Sequence, residues 1–157
     1  MMRQYELVDR VRRYNPHANE DILNRAYVYA MKAHGAQTRA SGDPYFSHPL
    51  EGAAILTDLK VDDSTIVAAV LHDTIEDTGT THGELVERFG REVADIVREV
   101  SDDKRFDKQV RKDLQIAHTA YASPRAKLVK LADKIANMRD ILDRPPVGWS
   151  GDRKREY

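Results

Sequence analysis

The chain has 157 residues, which suits one domain over residues 1–157 and leaves no room for a second large one. It contains no cysteine, which excludes disulfides and thiolate metal sites, and its formal net charge of −1 argues against a protein that coats nucleic acid. No apolar run approaches the roughly 18 residues of a membrane span, and the polar, basic N-terminus is unlike a signal peptide. We therefore expect a soluble cytoplasmic protein.

Helical patterns follow one another along nearly the whole chain, and the alternation typical of strands is missing. The predicted helices cover residues 3–13, 20–34, 50–59, 64–77, 81–90, 92–100, 107–121 and 124 to about 142. Their predicted N-caps include Asn19, Ser64, Thr81 and Ser123. The expected fold class is all-α, a bundle of about eight helices.

The segment 72–77, with the sequence His-Asp-Thr-Ile-Glu-Asp, closes the apolar helix predicted over residues 64–77. A buried helix should not end in one imidazole and three carboxylates, because unpaired buried charge is costly. A bound metal ion would remove this conflict. Helical spacing predicts that His72 lies beside Glu76, and that Asp73 lies beside Glu76 and Asp77.

Two further residues are candidate metal ligands. His48 directly precedes the helix predicted from residue 50, and Asp133 interrupts an otherwise apolar helix. Each has an ordinary alternative, since Asp133 could pair with a neighbouring lysine and His48 could simply mark a helix entry. Together they favour a site for Mn or Fe with water in the open positions. The predicted ligands are His48, His72, Asp73 and Asp133.

Glu76 and Asp77 are predicted to handle water beside that metal, by orienting it or accepting its proton. The alternative, a solvated helix C-terminus, is disfavoured because the helix dipole opposes acidic groups there. A positive group is therefore expected near them. Asn137 lies one helical turn beyond Asp133 and could join the same site or remain an exposed amide.

The loop over residues 35–49 combines turn-forming residues with groups that suit a nucleotide. Arg39 and Tyr45 could stack on a base, and Ser41 adds a small polar residue beside them. Lys134 and Arg153 could neutralise phosphate, although each is more often a solvated surface residue. A nearly neutral protein with a local basic lining suits one small anionic substrate.

Four stretches resemble the hydrolase domain of the RelA/SpoT alarmone enzymes, within the HD metal-phosphohydrolase superfamily. They cover residues 33–49, 71–78, 100–104 and 127–140, and the resemblance extends over roughly residues 20–157. Their combined order and spacing is far more specific than a histidine-aspartate pair. The similarity is greatest to small stand-alone alarmone hydrolases of the metazoan type, which also have Gly-Trp-Ser at the position of residues 148–150.

The resemblance implies an all-helical enzyme that binds one Mn²⁺ ion and removes the 3′-pyrophosphate of (p)ppGpp, releasing GDP or GTP. It implies metal ligands at His48, His72, Asp73 and Asp133, with Glu76 and Asp77 as the catalytic pair. It places substrate contacts at Arg39, Ser41, Tyr45, Lys134, Asn137 and Arg153.

Ala40 is one departure from this resemblance, since many longer relatives have a lysine there. The chain ends at Tyr157, where relatives continue with another helix, and it shows no synthetase or regulatory segment. We therefore expect hydrolysis without synthesis. Two alternatives stay open: a related phosphohydrolase that removes the 2′-phosphate of NADPH, and an alarmone-binding module without turnover.

Overall fold

The computed structural model describes residues 1–143, and their regular secondary structure is helical. The helices α1 to α9 are Gln4–Tyr14, Glu20–His34, Ser47–Asp58, Asp63–Leu71, Thr74–Asp77, His82–Phe89, Arg91–Val100, Lys108–Thr119 and Pro124–Asp143. Across these 143 residues, β pairing is limited to an isolated bridge between Thr38 and Pro44. The predicted all-α class is confirmed.

Helix α4 is the centre of the bundle. Every residue from Thr65 to Leu71 is buried, and the helix packs against α2, α3, α7 and α9. A helix that is apolar all round must be enclosed on all sides. The first polar residue after it, His72, therefore lies at the edge of the core and not at the outer surface.

Three of the four predicted N-caps are formed by side-chain hydrogen bonds. The Asn19 side chain accepts a hydrogen bond from the Ile22 N–H at 3.1 Å, and the Thr81 hydroxyl accepts one from the Glu84 N–H at 3.2 Å. Ser123 caps α9 in the same way through the Ala126 N–H. These three predictions are confirmed, because a hydroxyl or amide oxygen satisfies an N–H that the helix itself leaves unpaired.

The single helix predicted over residues 64–77 is wrong in two respects. It begins at Asp63 after an Asp62 N-cap, so Ser64 is not the cap, and it breaks at His72 and Asp73. At the break, the Thr74 hydroxyl donates to the Leu71 carbonyl at 2.7 Å, and His72 Nδ1 donates to the Ala69 carbonyl at 2.6 Å. Side chains that compete for main-chain carbonyls in this way disfavour a continuous helix.

Other boundaries differ by small amounts. Helix α3 begins at Ser47, three residues before the predicted start, so His48 lies in its first turn and does not precede it. The split of the central helix explains why the described residues form nine helices where about eight were predicted. In the part of the chain that the structure describes, no helix has both the length and the apolar character needed to cross a membrane.

Leu56 on α3 offers a test of the packing around the site, because its side chain is fully buried in the core. Leu56→Ala should lower the free energy of unfolding by about 3 kcal/mol, since it removes buried methylene groups and leaves a cavity. Leu59 follows the same helix and is 56% exposed, so Leu59→Ala should cost about 0.5 kcal/mol or less. Urea unfolding of both variants measures the difference; equal losses would contradict this packing.

Candidate metal centre and active site

Two imidazoles and two carboxylates converge where α3, α4 and α9 meet. His48 comes from the first turn of α3, His72 and Asp73 from the break after α4, and Asp133 from the middle of α9. One donor atom from each of the four lies within 4.8 Å of the donor atoms of the others. The structure thus brings together all four predicted ligands, from segments up to 85 residues apart.

The donor atoms have the spacing of metal ligands. Asp133 Oδ1 lies 2.6 Å from His48 Nε2 and 3.2 Å from His72 Nε2, and Asp73 Oδ2 lies 3.2 Å from His72 Nε2 and 3.9 Å from His48 Nε2. Adjacent ligands around an octahedral ion held at roughly 2.1 Å are about 3 Å apart. Two nitrogens and two oxygens suit a divalent first-row metal better than Ca²⁺. The residues therefore fit a divalent ion.

The His72 ring is oriented by the protein. Because Nδ1 donates to the Ala69 carbonyl, Nε2 of the neutral ring keeps its lone pair for a metal. A carbonyl behind a ligating histidine is a recurring arrangement in metal sites, and it fixes the tautomer. His48 Nδ1 is buried and has no hydrogen-bond partner among the described residues.

Protons and a metal ion compete for the donor atoms of this cluster. Burial opposes a charge on His72, but the Asp73 and Asp133 carboxylates outweigh it and raise the pKa of His72 to about 10. Burial works against the charged form of Asp133 as well, yet hydrogen bonds from His48 and His72 hold the pKa of Asp133 below its usual range. A metal ion that binds His72 Nε2 therefore competes with this proton.

Three of the four candidate ligands, His48, Asp73 and Asp133, line a cleft of about 340 Å³. Its walls carry five carboxylates, from Asp73, Glu76, Asp77, Asp133 and Asp140, and one guanidinium, from Arg39. Such an excess of negative charge would repel a phosphorylated substrate. A bound cation is needed before the cleft can accept an anion.

Glu76 and Asp77 occupy the short helix α5 and face the same cleft. Burial, reinforced by the charges of Asp102, Asp73 and Asp77, raises the pKa of Glu76 to about 7, although a hydrogen bond from the Asp102 N–H opposes the rise. A carboxylate with this pKa can accept and return a proton near neutral pH.

Asp77 has the positive neighbour expected from the sequence. The Lys104 ammonium pairs with its carboxylate, and the Gln37 side-chain amide donates to its main-chain carbonyl at 2.7 Å. The Tyr45 hydroxyl lies 2.9 Å from Asp73 Oδ2 and 3.2 Å from Asp77 Oδ2. Burial, followed by these two charges, raises the pKa of Tyr45, so its hydroxyl remains a donor.

Arg39 is held by two acidic side chains. Its guanidinium lies 3.1 Å from Glu51 on α3 and 3.2 Å from Asp140 on α9, and the side chain is 6% exposed. The loop that carries it folds back on itself, with the Arg39 N–H bonded to the Asp43 carbonyl at 2.7 Å. Arg39 lines the cleft, yet two charges already engage it, so its predicted contact with a base stays a prediction.

The remaining predicted substrate contacts differ in position. Asn137 lines the cleft, whereas Ser41 is exposed outside it and bonds to Asp43 at 3.1 Å. Lys134 is half-buried and does not line the cleft; burial, followed by the charge of Lys130, lowers its pKa. Arg153 and the Gly-Trp-Ser segment at 148–150 lie outside the described residues.

Sequence reasoning missed three residues that hold the catalytic pair, namely Gln37, Asp102 and Lys104. Lys104 contacts Asp77 across 27 positions and Asp102 contacts Glu76 across 26, so no local periodicity relates them. The available signal was the expectation of a positive group near the two acids. Lys104 lies in the stretch 100–104 that carries part of the family resemblance, but no role was assigned to it there.

Comparisons with known proteins identify relatives of this arrangement. The HD domain family profile matches residues 26–150. The protein named GTP pyrophosphokinase rsh from Brucella ovis is 52% identical over 147 residues, covering 90% of this chain and 20% of that protein. The chain therefore spans about a fifth of the length of the first curated relatives it matches.

Shorter relatives are covered more fully. The protein named guanosine-3′,5′-bis(diphosphate) 3′-pyrophosphohydrolase MESH1 from Xenopus tropicalis is 46% identical over 140 residues, which cover 87% of this chain and 78% of that protein. A solved structure of a metazoan SpoT orthologue, described as hydrolysing ppGpp, superposes with a TM-score of 0.81 at 40% identity, covering 85% of this chain and 77% of that one. These similarities confirm the resemblance drawn from the four motifs.

His72 provides a test of the metal centre with Mn²⁺ as the probe. His72→Ala removes one of four donors and should weaken Mn²⁺ binding about 100-fold or more. His17→Ala is the control. It removes an exposed imidazole that does not line the cleft, so it should leave the Mn²⁺ affinity unchanged. Isothermal titration calorimetry measures both; full affinity in His72→Ala would exclude this site.

Proposed function

Because the chain belongs to the HD domain family, we propose that it is a Mn²⁺-dependent hydrolase that removes pyrophosphate from the 3′ position of (p)ppGpp. One observation carries the proposal: three members of the four-ligand cluster, His48, Asp73 and Asp133, line the same cleft as a separate pair of carboxylates. The name of the 46% identical relative gives guanosine-3′,5′-bis(diphosphate) as the substrate of that protein, which supports this choice. A cytoplasmic location belongs to the same proposal, because nucleotides of this kind are kept inside cells.

His48, His72, Asp73 and Asp133 would hold the ion. When bound there, a divalent metal supplies Lewis-acid polarisation of a phosphoryl oxygen and makes water more acidic. The chemistry of the donor set supports this assignment, since neutral imidazoles and ionised carboxylates satisfy Mn²⁺ without thiolates.

Glu76 acts on the attacking water. With a pKa of about 7, it is ionised in much of the protein at neutral pH and can take the proton that water loses as it attacks phosphorus. Activity should therefore require the ionised carboxylate and fall as the pH drops below the pKa of Glu76. Asp77, paired with Lys104, lines the same cleft and would help to orient that water.

The reaction cleaves the bond between the ribose 3′ oxygen and its phosphorus. Water supplies the new oxygen of the released pyrophosphate, and the ribose oxygen leaves with a proton as a hydroxyl. Arg39, Tyr45 and Asn137 line the cleft where the nucleoside would lie. Ser41, Lys134 and Arg153 remain predicted contacts to the phosphates or ribose.

The substrate is tested by incubating purified, Mn²⁺-loaded protein with ppGpp and, in parallel, with NADPH. We expect GDP and pyrophosphate from ppGpp, and we expect a chelator to abolish the reaction. Chromatography of the nucleotide products, with separate assays for pyrophosphate and orthophosphate, distinguishes the outcomes.

Release of orthophosphate from NADPH, with no turnover of ppGpp, would leave the metal-site assignment unchanged but would identify NADPH as the substrate. Tight ppGpp binding without turnover would make the protein a binding module. Either result contradicts the proposed function.

Glu76→Gln tests the proton acceptor, because it keeps the shape of the side chain and removes its basicity. We expect kcat to fall about 100-fold or more, with Mn²⁺ affinity changed by less than about threefold. Glu87→Gln makes the same chemical change on the exposed face of α6 and should leave kcat unchanged. Parallel loss of metal binding and turnover in Glu76→Gln would instead make Glu76 part of the metal site.

A further inference from the structure

Asp102 connects the catalytic pair to a helix that has no part in the cleft. Its main-chain N–H donates to Glu76 Oε1, and its carboxylate Oδ2 accepts from Gln115 Nε2 at 2.5 Å. Asp102 lies in the turn between α7 and α8, whereas Gln115 lies on α8. A chain of two hydrogen bonds thus runs from α8 through Asp102 to Glu76.

The Lys104–Asp77 ion pair ties this turn to α5, and the Gln115 amide holds it from the α8 side. No described residue of α8 is buried, so packing contributes little to the position of the helix. The Ser101 hydroxyl donates to the Val97 carbonyl at 2.7 Å, which ties the start of the turn to α7. Among the described residues, Gln115 is the hydrogen-bond partner of the Asp102 carboxylate.

The Gln115–Asp102 hydrogen bond also bears on the repulsion between the Asp102 and Glu76 carboxylates. The Asp102 and Glu76 carboxylates belong to residues in direct hydrogen-bond contact, and like charges repel. The Gln115 amide donates a hydrogen bond to the Asp102 carboxylate, and the Asp102 main-chain N–H donates one to the Glu76 carboxylate. Loss of the amide would free the carboxylate and the peptide to reorient together.

We propose that Gln115 is a positioning residue: through Asp102 it holds the main-chain N–H that orients the Glu76 carboxylate toward the cleft. The inference rests on the proposed role of Glu76 as the proton acceptor. Gln115 is not among the residues that line the cleft. Its contribution should therefore appear in turnover and not in binding.

Gln115→Leu removes the amide with little change in size. We expect kcat to fall about tenfold, because a displaced base loses alignment with the attacking water, while KM and Mn²⁺ affinity change less than about twofold. Gln115→Asn keeps the amide but shortens its reach by one methylene group, and it should lower kcat in the same direction. Gln109→Leu on the exposed part of α8, where the amide bonds Asp113 at 3.0 Å, is the matched control.

A double variant distinguishes a positioning role of Gln115 from general destabilisation of the protein. In a Glu76→Gln background, Gln115→Leu should reduce the residual kcat by less than about twofold, because residues on one path are not additive. A full tenfold loss in that background would mean that Gln115 acts elsewhere, and would overturn the inference.

Hydrogen exchange gives a readout that needs no turnover. The Asp102 amide should exchange about fivefold faster or more in Gln115→Leu than in wild type or Gln109→Leu. Unchanged exchange, or unchanged kcat in an active enzyme, would overturn the inference. If wild type releases no pyrophosphate from ppGpp, the proposed function fails by itself, and the exchange measurement still decides the role of Gln115.

Discussion

The structure depends on the convergence of four potentially charged groups at the edge of an apolar core. The carboxylates of Asp73 and Asp133 are each 14% exposed, and the imidazoles of His48 and His72 lie within 3.9 Å of them. Two partly buried carboxylates at this spacing repel each other and lose hydration, so they require compensation. A divalent cation provides it, and by binding the folded state alone it also stabilises the fold.

Close packing positions some residues of this site, and hydrogen bonds position the others. The ligands come from α3, α9 and the end of α4, helices that share the main core, so their positions follow from close packing. Glu76 and Asp77 lie on a helix of four residues and are held by hydrogen bonds from Gln37, Tyr45 and the turn after α7. Four candidate metal ligands placed by core packing thus lie beside a carboxylate pair whose orientation depends on polar contacts.

Local sequence predicted the features that local physics controls. Asn19, Thr81 and Ser123 cap their helices as predicted, since a cap depends on residues three positions away. The break at residues 72–73 was missed, because apolar periodicity does not reveal that His72 and Thr74 take main-chain carbonyls. Residue type was enough to select the four candidate ligands that the structure brings together, but the pairing of Arg39 with Glu51 and Asp140 is set only by tertiary packing.

The most direct measurement of the central claim is an anomalous difference map from crystals grown with Mn²⁺ and measured at the manganese absorption edge. We expect one strong peak within bonding distance of His48, His72, Asp73 and Asp133, with Glu76 beside it. A peak at another group of residues would contradict it. So would an empty centre in crystals where these four side chains keep their present positions.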